Sequence, residues 1–445
     1  MTDPSSLKRA KIIDALRHGT VPQKGLELYA VGMERFEKAI DAELALASSS
    51  GGGFKAVRGE YGAGKTFFAR WLEHRALAAG FATSLVQISN DTPLYKMEAI
   101  YRRAVENLQT KEWEHGAFRS LVGRWFFALE EESIAEGTDA SDPEALTEAV
   151  GAKLETRLAA VSSVQPQFAA ALRTLHAATL REDHATADGL LGWLMAQPNV
   201  GAEAKRSAGL KGEVDHHGAS GFVRGLLELL RQTGRKGLVL VLDECETIQR
   251  TRRDQKEKSL NALRQLIDDV SGGVYRGLYV VITGTTAFFE GPDGIKRLPP
   301  LAERLHTDFS GEAQFDNPRA PQVRLRPFDI EKLVDAGKRV RALYPAEAPE
   351  RIAAKIDDAL LRELALGVAG SLGKQVGVAP RIYLRKLVTE LLDKVDQFPD
   401  YDPRQHFKLV VDVNEMSAEE RSAAGVARSV DDIALDVDKS DDGPA

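Results

Sequence analysis

Apolar residues recur at helical spacing from Leu7 to Leu16, pause around Pro22 between Gly19 and Gly25, and resume from Met33 to Ala47. The run of serines and glycines from Ser48 to Gly53 then ends the helical pattern. Phe54 to Arg58 reads as a strand, Lys65 to Ala78 as a helix stopped near Gly80, Ala82 to Ile88 as a strand and Pro93 to Leu108 as a helix. This β-loop-α-β-α opening belongs to a mostly parallel sheet. From about Trp113 to Leu230 alanine, leucine and glutamate replace strand-like alternation, predicting a helical insertion with polar loops at Gly137 to Pro143 and Lys205 to Ser220. Strands return at Gly237 to Leu242 and Gly277 to Thr283, on either side of a helix from Lys256 to Asp269. Pro292 to Pro300 is expected to be a loop and Gln322 to Leu325 a short strand. Residues 329 to 396 read as helical, with interruptions at Pro345, at Pro349 and from Gly367 to Pro380. Beyond Val411 the periodicity fades, and Asp431 to Asp442 holds six aspartates against one lysine, a composition that predicts a disordered tail.

The expected fold class is therefore α/β, a core with a mostly parallel sheet, a helical insertion and a C-terminal helical lid. The corresponding divisions are a helical approach over 1–50, a core over 51–328 with the insertion at about 113–230, a lid over 329–411 and an acidic tail over 412–445.

At 445 residues, 43% hydrophobic and 28% charged, the chain has room for two or three domains and the make-up of a globular protein. Its formal charge of −7 speaks against a surface built as a whole for nucleic acid, though not against a local basic groove. The single cysteine, Cys245, has no partner for an internal disulfide, which suits a reducing compartment. The opening Met-Thr-Asp-Pro-Ser has no basic stretch followed by an apolar one, and no apolar run reaches membrane-spanning length. The expectation is a cytoplasmic protein without a membrane partner.

The chemistry is concentrated at the strand ends. Gly59-Glu60-Tyr61-Gly62-Ala63-Gly64-Lys65-Thr66 has the spacing Gly, any four, Gly-Lys-Thr and lies between a strand and a helix. Glycines let the backbone curl so that successive amides face phosphates, and the next helix directs its positive end there. In such a loop Lys65 meets the β- and γ-phosphates of ATP, and the Thr66 hydroxyl is a ligand of Mg2+. Leu238-Val239-Leu240-Val241-Leu242-Asp243-Glu244 reads as a strand buried on both faces, expected beside the loop-bearing strand. Asp243 emerges where ligands collect in open α/β sheets and is placed to hold the magnesium through water, while Glu244 polarises the attacking water. A third strand ends in Thr283-Gly284-Thr285-Thr286, where Thr283 or Thr285 is the candidate to sense the γ-phosphate, the plainer alternative being a cap of the next turn.

Charge on the transferred phosphoryl group calls for further cations. Arg304 follows the third strand and is a candidate, serving its own site or a neighbouring subunit's; Arg381, after Pro380, is a candidate from the lid. Surface or salt-bridge roles are the ordinary alternative for both. Asp215-His216-His217 has no further ligands at convincing metal spacing, and reads as a solvated loop.

Ile12 to Pro22, Gly25-Leu26, Tyr29-Ala30-Val31-Gly32 and Arg58 to Phe68, continued by Leu242-Asp243-Glu244, Thr283-Gly284-Thr285 and Pro380 to Arg385, together resemble the BREX-system ATP-binding family over most of the chain. The resemblance implies an AAA+-like ATPase related to the origin-recognition and STAND groups, encoded in bacterial phage-defence islands. The chain's size is most similar to the BrxD branch, which accompanies a large helicase. By the same resemblance Val31 and Gly32 lie near the adenine, Arg304 matches an arginine-finger region and Arg381 a second sensor. The function expected is ATP hydrolysis coupled to DNA or a helicase partner, in a homo-oligomer if Arg304 acts between subunits. The rival reading is a nucleotide-dependent switch or scaffold with slow, STAND-like turnover.

Overall fold

The computed structural model describes residues 5–371 and 379–409. Short apolar runs form five strands: β1 (Gly53–Arg58), β2 (Ala82–Gln87), β3 (Leu238–Asp243), β4 (Leu278–Gly284) and β5 (Gln322–Arg324). They make one sheet in the order β2-β3-β4-β1-β5, every pair parallel. All residues of β3 and β4 are buried, as strands covered on both faces must be. The expectation that β3 lies beside β1 is corrected, because β4 pairs with both and separates them. A continuous apolar run reports burial on two faces but carries no information on which strand is its neighbour.

The chain divides into two compact units, one comprising Met33–Gly59 and Lys65–Leu325, the other formed by the described residues up to Gly32, the loop Glu60–Gly64 and the described residues from Arg326 on.

In the first unit the helices Glu34–Ser50, Lys65–Ala78 and Arg253–Ser271 pack on the sheet. Phe36 meets Phe68 edge to face at 5.3 Å between ring centroids, and Phe68 meets Trp71 at 5.4 Å, which fixes the helix that follows the glycine-rich loop. The segment read as an insertion folds into helices Ala117–Ala135, Pro143–Val164, Pro166–Leu180, His184–Leu194, Ala202–Ser207 and His216–Gln232. Their core centres on Phe222, with Tyr101, Phe168 and Trp193 at 5.6, 5.3 and 5.0 Å. Tyr101 also donates its hydroxyl to the Leu194 carbonyl at 2.8 Å, tying the insertion to the helix Met97–Glu106.

Several boundaries differ from expectation for local reasons. The helix expected over Pro93 to Leu108 spans only Met97–Glu106. The polar stretch Lys205 to Ser220 is not all loop: Asp215 accepts from the Gly218 amide at 2.7 Å and caps a helix opening at His216. Within Pro292 to Pro300, Pro299 opens a short helix to Arg304, and Pro349 likewise starts one instead of interrupting, since proline lacks an N–H that the first turn leaves unused.

One buried charge stands inside β1. Lys55, 1% exposed, donates to Glu43 at 2.6 Å and to the carbonyls of Ala320 and Pro318 at 2.8 and 3.1 Å, while Tyr279 donates to the other Glu43 oxygen at 2.5 Å. Burial lowers the lysine's pKa, and Glu43 opposes this. With its three donors used, the ammonium joins β1 to the helix Glu34–Ser50 and to the approach to β5, and Glu43 in turn reaches β4 through Tyr279.

The second unit is helical: Ser6–Arg17, Ile330–Leu343, Pro349–Lys355, Asp358–Ser371 and Ala379–Lys386, the last running into a π-helical turn, Leu387–Leu392. Arg17 grips Asp393 with two bonds of 2.8 and 2.9 Å, and Tyr344 donates to the same carboxylate at 2.8 Å. Gly367 lies within a helix, while part of the interruption expected up to Pro380, and the whole predicted acidic tail, lie outside the described residues.

Candidate nucleotide site

β1 ends at Arg58 and delivers Gly59, whose amide donates to the Gly284 carbonyl at the end of β4 at 3.1 Å. In the loop that follows, Gly62 and Gly64 have φ of +77° and +89°, values that cost a side chain strain and glycine none. The Ala63 amide turns back to the Glu60 carbonyl at 3.0 Å. Lys65 and Thr66 then open the helix Lys65–Ala78, where the first-turn N–H groups and the helix dipole favour an anion.

Asp243, 4% exposed at the end of β3, is the hub of the site. One carboxylate oxygen accepts from the Thr66 hydroxyl at 3.3 Å, and the other accepts from the Thr283 hydroxyl at the end of β4. The Glu244 amide points at both Thr283 Oγ1, at 3.1 Å, and Asp243 Oδ1, at 3.2 Å. Two strand ends and a helix start thus converge through one carboxylate. Thr285 is not part of this network: it caps the helix Thr286–Glu290 through the Phe288 amide.

Glu244 has φ of +59°, left-handed and uncommon for a residue with a side chain. The turn separates two glutamates. The Glu244 side chain is exposed and accepts from Gln87 Nε2 at 2.8 Å, whereas Glu246, two residues on, is 7% exposed and lies 3.5 Å from Lys65 Nζ. Burial pushes the Glu246 carboxyl up and Lys65 pulls it back down. Lys65, itself 8% exposed, also donates to the Gly59 carbonyl at 3.1 Å. Cys245 between the glutamates is buried, which raises its thiol pKa well above the ordinary value.

Gln87 and Glu246 are absent from the sequence-derived site. Gln87 ends β2 in register with Asp243, so its proximity to Glu244 follows from pairing that a single sequence does not display. Glu246 had a visible signal, its place two residues past the Asp-Glu pair.

Arg304 forms two bonds to Asp268 and one to the Pro300 carbonyl, so its charge is matched within its own neighbourhood. Arg381 lies on the helix Ala379–Lys386 with its stem over Gly19, a Cβ there falling 3.7 Å from Arg381 Cγ. Val31 and Gly32 follow Ala30, whose carbonyl accepts from Arg339. Val31, Gly32, Arg381 and the loop Glu60–Gly64 belong to the same compact unit.

Magnesium fits the donors present. Thr66 and Asp243 offer a hydroxyl and a carboxylate, hard oxygen donors already within hydrogen-bond distance. An ion that keeps several waters and takes phosphate oxygens needs no fuller protein cage. Among the described residues no group of three or more His, Cys, Asp or Glu side chains is arranged to hold a metal.

A family model described as BREX system ATP-binding protein BrxC/D matches residues 5–411. No curated protein matches the chain as a relative. Among the described residues no helix is long and apolar enough to cross a membrane.

Proposed function

Since the chain belongs to the BREX system ATP-binding protein BrxC/D family, we propose that it hydrolyses ATP with magnesium at the site built on Lys65, Thr66, Asp243, Glu244 and Thr283, as a working component of that antiphage system. The observation that carries this reading is the hydrogen bonding of Asp243 to both Thr66 and Thr283, with Glu244 next to it. Thr66 and Asp243 would hold the magnesium, which when bound would supply charge neutralisation on the phosphate oxygens. The amides of Gly59 to Thr66 cradle the phosphates, and Lys65 neutralises the group in transfer. Glu244 accepts the proton of the attacking water, and Thr283 holds Asp243 and the Glu244 backbone in register. Other BREX proteins are the implied partners.

Coupling to DNA has local support in charge. The helix Ser6–Arg17 carries Lys8, Arg9, Lys11 and Arg17 with Asp14 as its one acid, Glu27 and Asp393 pairing with Lys8 and Arg17 from outside it, and it packs on Ala379–Lys386, which carries Arg381, Arg385 and Lys386 and no acid. The test is phosphate release from Mg-ATP by the purified chain, with single-stranded DNA, duplex DNA or none, across a dilution series. Hydrolysis that DNA stimulates severalfold is expected; absence of hydrolysis under every condition would refute the catalytic reading. Read beside mass by light scattering, specific activity that falls as an oligomer dissociates would support a shared site to which Arg304 contributes after release from Asp268, and a catalytically competent monomer of flat specific activity would exclude one.

The rival reading of a slow switch draws on one contact, the bond from Gln87 to Glu244. β2 lies on the side of β3 opposite to β4 and β1, so this bond draws the carboxylate away from the strand that delivers the glycine-rich loop. Gln87→Ala is expected to raise basal turnover roughly severalfold, the scale of one partly exposed hydrogen bond, with ATP affinity unchanged. Steady-state kinetics check this, and a fall in kcat would mean that Gln87 holds Glu244 in its working position.

A further inference from the structure

Lys65 does not wait unengaged for a phosphate. Its ammonium lies 3.5 Å from Glu246 Oε1 and 3.1 Å from the Gly59 carbonyl, and both charged side chains are more than nine-tenths buried. The pairing is built by the backbone: the left-handed residue Glu244 starts the 3-10 turn Cys245–Arg250, and that turn carries Glu246 inward to the helix Lys65–Ala78. The second Glu246 oxygen is buried with no hydrogen-bond partner. A carboxylate in that position depends on a nearby cation, because an unpaired buried charge is costly. Phosphate asks for the same ammonium, and one –NH3+ at one place cannot serve a buried carboxylate and a triphosphate equally.

We infer that Glu246 is the resting counter-ion of Lys65 and competes with nucleotide phosphate for it, so that this glutamate sets the affinity of the chain for ATP and ADP. The inference rests on the nucleotide reading above and adds a positioning residue to it. Glu246 acts through Lys65 and by its charge. Removing the charge at constant shape takes away both the competing counter-ion of the ammonium and a repulsive carboxylate beside the triphosphate. Keeping the charge on a shorter side chain leaves the competition in place.

The experiment measures binding of ATP, ADP and adenosine, with magnesium, to the full chain and to Glu246→Gln and Glu246→Asp. Glu246→Gln is expected to bind ATP and ADP about tenfold more tightly, the scale of one charge-assisted hydrogen bond, with adenosine unchanged. Glu246→Asp should stay near the parent. A residue needed only for packing gives the reverse order, since the amide preserves shape and aspartate does not. Unchanged or weaker ATP binding by Glu246→Gln overturns the inference, as does an equal gain for adenosine. If the buried amide impairs folding, as judged by thermal unfolding, Glu246→Ala replaces it and carries the same expectation. Failure of the parent chain to bind ATP would instead refute the underlying nucleotide reading. ATP binding by the parent that Lys65→Ala abolishes, together with no gain in Glu246→Gln, would refute only the role of Glu246.

Discussion

Lys65→Ala is expected to weaken ATP binding by roughly 10- to 100-fold, the scale of losing one or two charge-assisted hydrogen bonds. Lys65 opens the helix after Gly64, and its ammonium lies between the Gly59 carbonyl and Glu246. The variant should lose affinity for ATP and ADP but not for adenosine. It also leaves Glu246 buried without its cation, so its melting temperature must be measured beside the binding isotherm. Unchanged nucleotide affinity in a folded variant would remove this loop from the site altogether.

Glu244→Gln is expected to retain ATP binding and lose turnover by on the order of 10²- to 10⁴-fold, the range of a lost general base. The amide keeps the size of the side chain but gives up its capacity to accept a proton. Because the Glu244 backbone amide, not its side chain, faces Asp243 and Thr283, the substitution leaves the hydrogen bonds of the hub intact. Single-turnover hydrolysis with titrated ATP separates the two quantities. Full kcat in this variant would mean that another group orients the water.

Much of this arrangement was legible in the residues themselves. The spacing from Gly59 to Thr66 reads as a phosphate loop without any alignment, because few chemistries need glycines, lysine and threonine in that order between a strand and a helix. Asp243 and Thr283 were legible from the ends of apolar runs, since a polar residue at such an end has few places to go but the sheet's ligand edge. The strand order was not. That β4 stands between β1 and β3 depends on pairing between segments far apart in the chain, and buried runs such as Leu238 to Leu242 and Leu278 to Ile282 are interchangeable by composition. The same cause hid Gln87, a polar strand end whose importance comes from its register partner. Lys55 was hidden for another reason: a lysine in a strand reads as a solvent-facing position, and only the convergence of Glu43 with the Ala320 and Pro318 carbonyls makes it an interior one. For the two arginines the residue type indicated a cation but not its counter-charge, and Asp268 claims Arg304.

The sheet order also sets a timetable for the newly made chain. Among the described strands β1 pairs with β4 and β5 and β2 with β3, so apart from the isolated bridge of Thr83 to Gln109 the first two strands to leave the ribosome have no sheet neighbours until segments far downstream have been synthesised. The helices between Ala117 and Gln232 meet one another over short sequence separations and can assemble first. The loop from Gly59 to Thr66, early in the sequence, is then carried by a strand that waits for β4 and β5. Until Thr283 has emerged, Asp243 lacks one of the hydroxyls that hold it. A nascent or truncated chain ending before β4 would therefore carry its apolar strands unpaired, open to association with other chains, and could not yet hold a nucleotide that would stabilise it.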